Sequence, residues 1–335
     1  MKIAWFANSI PGTGGGRYYL ELANRLMDSY GHSISFHLQD MGNAFGEQMK
    51  ATIKQLPQWC DISYDVAICG DPGRGHVVGF VFDKVPIKKK FWTMNFYNGE
   101  FMPWVENSAY TKICQTTWFY HMARTVDVKK NAKLCLGGVD TKFWSYKDTT
   151  GNLGLLTYPK KSGWTAVEAI RLVIEKHPEL HMLRFGGEEA GWKESDFPKG
   201  TINVGHPAHE TELLRSAYHQ ALVFVNAESN YGWGFSQCIA EAMCCGVAVV
   251  GGDFEGFNDM LIDNVTGLTV PNARESEIHG SNWITRPSPR DLCEKILTFI
   301  ENDGVRAAIS KNARNNIEKF DYDIMAERFN EIICD

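Results

Sequence analysis

Short apolar runs that alternate with helix-length amphipathic segments set the tightest limit on what this chain can fold into. Residues 3–6, 33–38 and 66–69 read as buried strands, with helices over 20–28 and 48–56 between them. The same grammar restarts near Gly154. Strands at 155–158 and 181–185 flank a helix at 166–176, and strands at 221–225 and 247–250 flank another at 235–244. Consecutive strands joined through helices run parallel, so each half is expected to form an open doubly wound α/β sheet.

A chain of 335 residues exceeds one ordinary core and suits two domains of about 150 residues each. Between the halves, residues 137–152 are rich in Gly, Thr, Asp and Lys and lack periodic hydrophobicity, which marks the interdomain connection. The expected domains are 1–145 and 146–319, with a last helix at about 320–335 packing back on the first. The fold class expected is two facing Rossmann-like domains with a cleft between them. Ligands of such sheets bind outside the carboxyl ends of the strands.

The net charge of −6 removes any global electrostatic reason to bind nucleic acid or an anionic membrane. No apolar run approaches the ~18 residues that span a bilayer, and MKIAWFANSI has no basic segment ahead of a long apolar one. Nine cysteines without a CxxC pair fit reduced thiols rather than a disulfide framework or a structural zinc site. Together these point to a cytoplasmic setting.

Three features carry chemistry. Directly after the first strand, PGTGGGRYYLELANRL places Gly14, Gly15 and Gly16 ahead of a helix that begins near Arg17. Glycines let backbone approach an anion, and a helix start offers unpaired N–H groups with partial positive charge. The same pattern also describes a tight strand-to-helix turn without a ligand. Glu241, which opens EAMCCGVAVV, sits in a helix expected to pack on a sheet, where an acid needs a partner. A ribose diol would serve, since one carboxylate accepts from both hydroxyls; an exposed helix glutamate is the plainer reading. Finally, Lys160 and Lys161 follow a strand and can act as point charges on a diphosphate, or can form a solvated turn.

In this order the pieces resemble glycosyltransferase family 4, the retaining enzymes of GT-B fold. The resemblance spans nearly the whole chain and is strongest over about 154–270. GGGRYYLELANRL is similar to the family's glycine-rich donor-phosphate loop, LGGVDTKFW to its NGVDxxxF signature, and KKSGWTAVEAI to its KG-containing segment. WGFSQCIAEAMCCGVAVV resembles EGFGxxxxEAMAxGxPVV, and GFNDMLIDNVTGLTVP resembles GxPExIxDGxTGxLVP. The resemblance implies that Glu241 holds the donor ribose, that Lys161 binds phosphate, and that Gly15 and Gly16 offer amides to it. Gly234, Phe235 and Ser236 would line the donor. Val265, Thr266 and Gly267 would only close the donor domain. Three departures stand out. Trp233 occupies the first position of the family's E-x7-E pair, with Glu228 as a possible stand-in. Leu156 stands near the place of an expected arginine, whose charge Lys160 could replace, and Asp259 replaces a glutamate.

The resemblance implies transfer of a sugar from a nucleotide-diphosphate sugar to an acceptor hydroxyl. Stabilising the leaving phosphate is the main demand, and the Gly14–Gly16 amides, Arg17, Lys160 and Lys161 are placed there. No cofactor and no metal are expected. His76, in DPGRGHVVG, is the first-domain candidate for touching sugar or acceptor, or a loop histidine with no role. The acceptor stays open among polysaccharide, lipid, small molecule, protein and modified DNA. Lys84, Lys88, Lys89 and Lys90, near Trp92, Phe96, Phe101 and Trp104, could meet a membrane surface, a polyanion, or stacked sugars and bases. They could equally protect a strand edge. A nucleotide-sugar epimerase of the same fold and a catalytically weak nucleotide-sugar-binding protein are the alternatives. An NAD-dependent oxidoreductase fits worse, because the GGG loop lacks the spacing and the ribose-binding acid.

Overall fold

The structure is a computed structural model that describes every residue except 11–13, 42–45, 57–62, 71–76, 95–101, 187–190, 206–210, 228–233 and 280–281. The side chains of residues 47, 102, 160–162, 255 and 273–285 also lie outside the described set. By contact density the chain divides into two compact units. The first comprises Met1–Gly138, Gly232–Phe235 and Phe320–Asp335, and the second Val139–Tyr231 and Ser236–Lys319. Residues 139–145, counted with the first domain from the sequence, therefore lie in the second unit. Trp144 there is fully buried edge-on against Tyr218.

The first unit is a seven-stranded parallel sheet. Its strands are β1 (Lys2–Ala7), β2 (Ser33–Leu38), β3 (Thr52–Gln55), β4 (Val66–Cys69), β5 (Lys89–Met94), β6 (Thr111–Cys114) and β7 (Ala132–Leu134). They stand in the order β3-β2-β1-β4-β5-β6-β7. Successive side chains in a strand point to opposite faces, and the two apolar cores follow that rule. Ile3, Trp5, Phe36 and Ile68 pack in one core, with helices α1 (Gly14–Tyr30) and α10 (Tyr322–Cys334). Ala4, Phe6, Trp92 and Met94 pack in the other, with α2 (Val77–Lys84) and α4 (Thr117–Val126). A short α3 (Met102–Glu106) precedes β6. The last helix is fastened by Arg25, whose Nε donates to Asp323 at 2.7 Å and whose guanidinium lies over the Tyr322 ring.

One expected helix is a strand. Residues 52–55 pair in parallel with β2, Ile53 against Phe36. The segment is an edge strand with mostly solvated side chains, so its apolar spacing carried little information. Pairing with a neighbour decided its conformation.

The second unit is a six-stranded parallel sheet in the order β10-β9-β8-β11-β12-β13. Its strands are β8 (Gly154–Thr157), β9 (His181–Arg184), β10 (Ile202–Asn203), β11 (Ala221–Asn226), β12 (Ala248–Gly252) and β13 (Leu268–Val270). The helices α5 (Pro159–Lys176), α6 (Thr211–Tyr218), α7 (Gln237–Cys244), α8 (Pro289–Glu301) and α9 (Asp303–Ile317) complete it. A hairpin absent from the sequence expectations, β14 (Asn272–His279) and β15 (Asn282–Pro287), leaves the sheet after β13. Both units are Rossmann-like, with the strand order reversing beside β1 in the first and beside β8 in the second.

Gly137 and Gly138, read from the sequence as part of a loose connection, have a packing reason. A Cβ on Gly137 would lie 2.4 Å from the Phe235 ring, and one on Gly138 would lie 2.4 Å from Tyr322. The chain passes here because there is no side chain to collide.

Candidate functional site

At the carboxyl edge of the first sheet, β1 leads to the opening of α1 at Gly14. The first amides of a helix have no partner within it. Gly14, Gly15 and Gly16 hold those positions, with Gly15 half-buried, Gly16 buried and Arg17 half-buried. One residue on, Tyr18 is buried beside the Gln115 side chain; burial drives the Tyr18 phenol well above its usual range. Gln115 follows β6 at the same edge, and its buried Nε2 has no hydrogen-bond partner among the described residues. Nothing in the sequence singled out Gln115, because only the sheet order brings it beside α1. His76 lies outside the described residues.

In the second unit β8 runs into Tyr158 and then α5, with Pro159 in the first turn. Lys160 and Lys161 belong to that first turn, though their side chains are outside the described set. Gly163 interrupts the helix with φ of 60° and ψ of −162°. That left-handed backbone costs an L side chain about 1–2 kcal/mol, so the break between the lysines and the rest of α5 depends on glycine.

β11 ends at Asn226, which is buried at the carboxyl edge. Glu228 and Trp233 lie outside the described residues. The chain then reaches Gly234 and Phe235, which the sequence reading placed in the donor domain and which pack with the first unit. The cause is visible in the Phe235 ring, 5.5 Å from that of Phe320 and directly against Gly137. Ser236 then opens α7 from the second unit. It is buried, its Oγ makes no cap bond, and no hydrogen-bond partner reaches it among the described residues.

Glu241 sits on α7 and is only 3% exposed. Its Oε2 accepts from the Tyr218 hydroxyl at 3.2 Å, and the same hydroxyl lies 3.2 Å from the Cys238 carbonyl. One phenolic proton thus serves two acceptors. Burial, and then the Glu241 charge, push the Tyr218 phenol far above its usual range. Tyr218 comes from α6, and no spacing rule links it to Glu241. At the carboxyl end of β9, buried Arg184 donates to the Gly186 carbonyl at 2.9 Å and to Glu194 at 3.1 Å. It too escaped the sequence reading.

The lysines near β5 are partly committed to the fold. Lys89 donates to the carbonyls of Ile333 and Cys334 at the end of α10, and Lys90 to the Asp83 carbonyl at 2.6 Å. Burial lowers the Lys90 pKa. Lys84 lies over the exposed Phe80 ring, and Lys88 is exposed. Among the described residues no group of three His, Cys, Asp or Glu side chains could hold a metal. No described helix is long and apolar enough to cross a membrane.

These units define an α/β protein built on the two-Rossmann plan of GT-B glycosyltransferases. Along its full length the chain is similar to the Anabaena Alr3699/HepE structure in complex with UDP-glucose. That match has a TM-score of 0.77 at 14% identity and covers 100% of this chain and 99% of the other. Residues 147–302 match the family described as Glycosyl transferases group 1. An uncharacterized glycosyltransferase of Methanocaldococcus jannaschii, MJ1069, is 27% identical over 122 residues, 34% of this chain and 28% of the relative. A Campylobacter jejuni enzyme, N,N'-diacetylbacillosaminyl-diphospho-undecaprenol alpha-1,3-N-acetylgalactosaminyltransferase, is 29% identical over 100 residues, 30% of this chain and 23% of the relative. The matched segments thus span less than a third of either curated relative.

Proposed function

We propose that the chain is a retaining, metal-independent glycosyltransferase that moves a sugar from a UDP- or GDP-sugar to an acceptor hydroxyl. The observation that carries this reading is Glu241, an acid held buried on α7 inside the segment that matches group 1 glycosyltransferases. A ribose diol would donate to that carboxylate, and Ser236 at the start of the same helix has a hydroxyl to spare for the donor.

In this reading the donor's anomeric carbon–oxygen bond breaks as the acceptor oxygen bonds to the same face of the sugar. The diphosphate leaves with the bonding pair, and one of its oxygens takes the acceptor proton. No protein base is then required. The protein's task is to stabilise charge on the leaving oxygen, which suits fixed donors in a site closed to water. The amides of Gly14–Gly16, with Arg17, Lys160 and Lys161, are the groups proposed for it, and His76 is proposed to meet the sugar or acceptor.

Calorimetry with UDP-glucose and GDP-mannose tests the reading, with UDP first because the similar Anabaena structure holds UDP-glucose. Saturable binding of one donor is expected. Lys161→Ala should lower kcat more than it weakens donor binding; an unchanged kcat removes the lysine from the mechanism. Trp233 supports a second reading, a donor-binding protein with little turnover, because a glutamate is expected at that position. Tight donor binding without transfer or hydrolysis would select it, and a new sugar nucleotide formed without acceptor would select an epimerase.

A further inference from the structure

A hollow of about 560 Å³ opens in the first unit beside the outermost strand β7. Five of its lining residues are cations: Arg124 from the last turn of α4, Lys129 and Lys130 from the loop that follows, Lys133 from β7, and Arg328 from α10. In a chain of net charge −6, five like charges facing one cavity repel one another unless something negative joins them.

The nearest acid in sequence does not answer them. Asp127 is buried and already accepts from Lys112 Nζ at 2.5 Å, from the Ser108 hydroxyl, and from the amides of Lys129 and Asn131 at 2.9 and 3.1 Å. Glu331 pairs with Arg328 at 2.7 Å. Among the described residues no acid pairs with Lys129, Lys130, Lys133 or Arg124; the Arg124 guanidinium donates instead to the Tyr120 hydroxyl at 2.6 Å. Lys130 also holds a left-handed φ of 52°, a conformation rare for a residue with a Cβ. Asp127 accepts from the amides of Lys129 and Asn131, so the backbone that carries Lys129 and Lys130 is fixed before any ligand arrives.

Protection of an exposed sheet edge accounts for a lysine on the edge strand itself. That explains Lys133, and Glu331 already pairs with Arg328, which leaves Arg124, Lys129 and Lys130 to be accounted for. Position separates the hollow from the transfer chemistry as well. Lys129 and Lys130 precede β7, whereas the α1 amides and Gln115 lie at the carboxyl ends of the strands.

We propose that this hollow is a second anion site, which takes phosphate groups clustered on one ligand or on one surface. Two guanidinium forks suit paired phosphate oxygens, and ammonium groups add point charges around them. Val128, next to Lys129 in the chain, is 92% exposed, an apolar side chain suited to a lipid surface. The phosphate can therefore come from a soluble phosphorylated ligand or from the headgroups of an anionic lipid surface.

The test uses the full chain with saturating UDP present, so that any nucleotide site is filled. Calorimetry with inorganic tripolyphosphate covers the soluble source. Co-sedimentation with phosphatidylcholine vesicles, with and without phosphatidylglycerol, covers the lipid source. The comparison variant carries Lys129→Gln, Lys130→Gln and Lys133→Gln, three exposed positions at which folding should survive, checked by an unchanged Tm. Removing three exposed charge contacts should weaken the wild-type interaction about tenfold and leave UDP-glucose affinity as it was. Tripolyphosphate binding alone assigns the soluble source, and vesicle binding that requires phosphatidylglycerol assigns the headgroup. Equal binding by the folded variant, or no saturable binding of either probe at low salt, overturns the site.

Discussion

Each Rossmann-like unit buries one acid among its described residues, and the two meet different surroundings. In the first unit Asp127 accepts from an ammonium group, a hydroxyl and two backbone amides, and its ion pair with Lys112 is wholly inaccessible. Burial opposes its ionisation, but the Lys112, Ser108 and Lys129 hydrogen bonds outweigh that and push its pKa down to about 2. In the second unit Glu241 faces a tyrosine hydroxyl that it shares with a carbonyl. A carboxylate saturated by fixed donors is part of the scaffold. One bonded to a neutral hydroxyl, as Glu241 is to Tyr218, is the kind proposed to receive the hydroxyls of a donor. Burial alone therefore does not mark a functional acid; the kind of partner does.

The comparison is broken most directly at Asp127. Asp127→Ala should cost about 3–5 kcal/mol, because it leaves a buried ammonium group without its counter-charge, and urea unfolding would show this. Replacing Lys112 and Asp127 together by Met and Leu should recover most of the loss. A single-variant loss below about 1 kcal/mol would mean that the pair is not structural. Glu241→Ala should behave in the opposite way, with donor affinity falling on the order of a hundredfold as the diol loses its acceptor. Its folding stability should change less than that of Asp127→Ala. Unchanged donor affinity would sink the ribose assignment, and a stability loss as large as that at Asp127 would erase the contrast between the acids.

Acidification sharpens the contrast further, since the first unit also contains buried His37 on β2. Burial first, and Lys54 second, lower its pKa to about 4. Its unfolded value is about 6.5, so between those values the unfolded chain binds more protons and stability drops as the pH is lowered. Unfolding at pH 5 against pH 7 should show a loss of roughly 1–2 kcal/mol, which His37→Phe should abolish. Asp127 adds its own loss only as pH falls below its unfolded value towards 2. If the pH 5 loss persists in His37→Phe, another group is responsible. The smallest effect is expected at Lys89. Lys89→Met removes the cation from the carbonyls ending α10 and should cost about 0.5–1 kcal/mol, measured as a lower Tm, with donor affinity unchanged.

Much of the fold was legible because the buried strands are short, apolar and separated by amphipathic helices. β2 and β4 were bounded in the sequence as they stand in the structure. β3 was misread as helix because an edge strand with solvated side chains has no apolar rhythm of its own. The hairpin after β13 went unseen, since two strands that pair mainly with each other leave no mark in the pattern of a sheet core. Around the site, the glycines of α1, the lysines of α5 and Glu241 were visible from their places after strands. Tyr218, Gln115 and Arg184 were not, because each reaches its position through strand order or helix packing rather than local spacing.

By itself the sequence determined the two parallel α/β units, the order of the glycine-rich turn, lysine pair and acid along them, and the burial of Glu241's helix. These follow from hydrophobic period and local backbone chemistry, which neighbouring residues settle among themselves. Only the tertiary structure decided that Phe235 serves the first unit, that Gly137 is required for clearance against its ring, and that Tyr218 partners Glu241. It also decided that five cations from four separate segments face one hollow. Each of these joins residues far apart in the chain, and contacts of that kind exist only once the sheets have assembled.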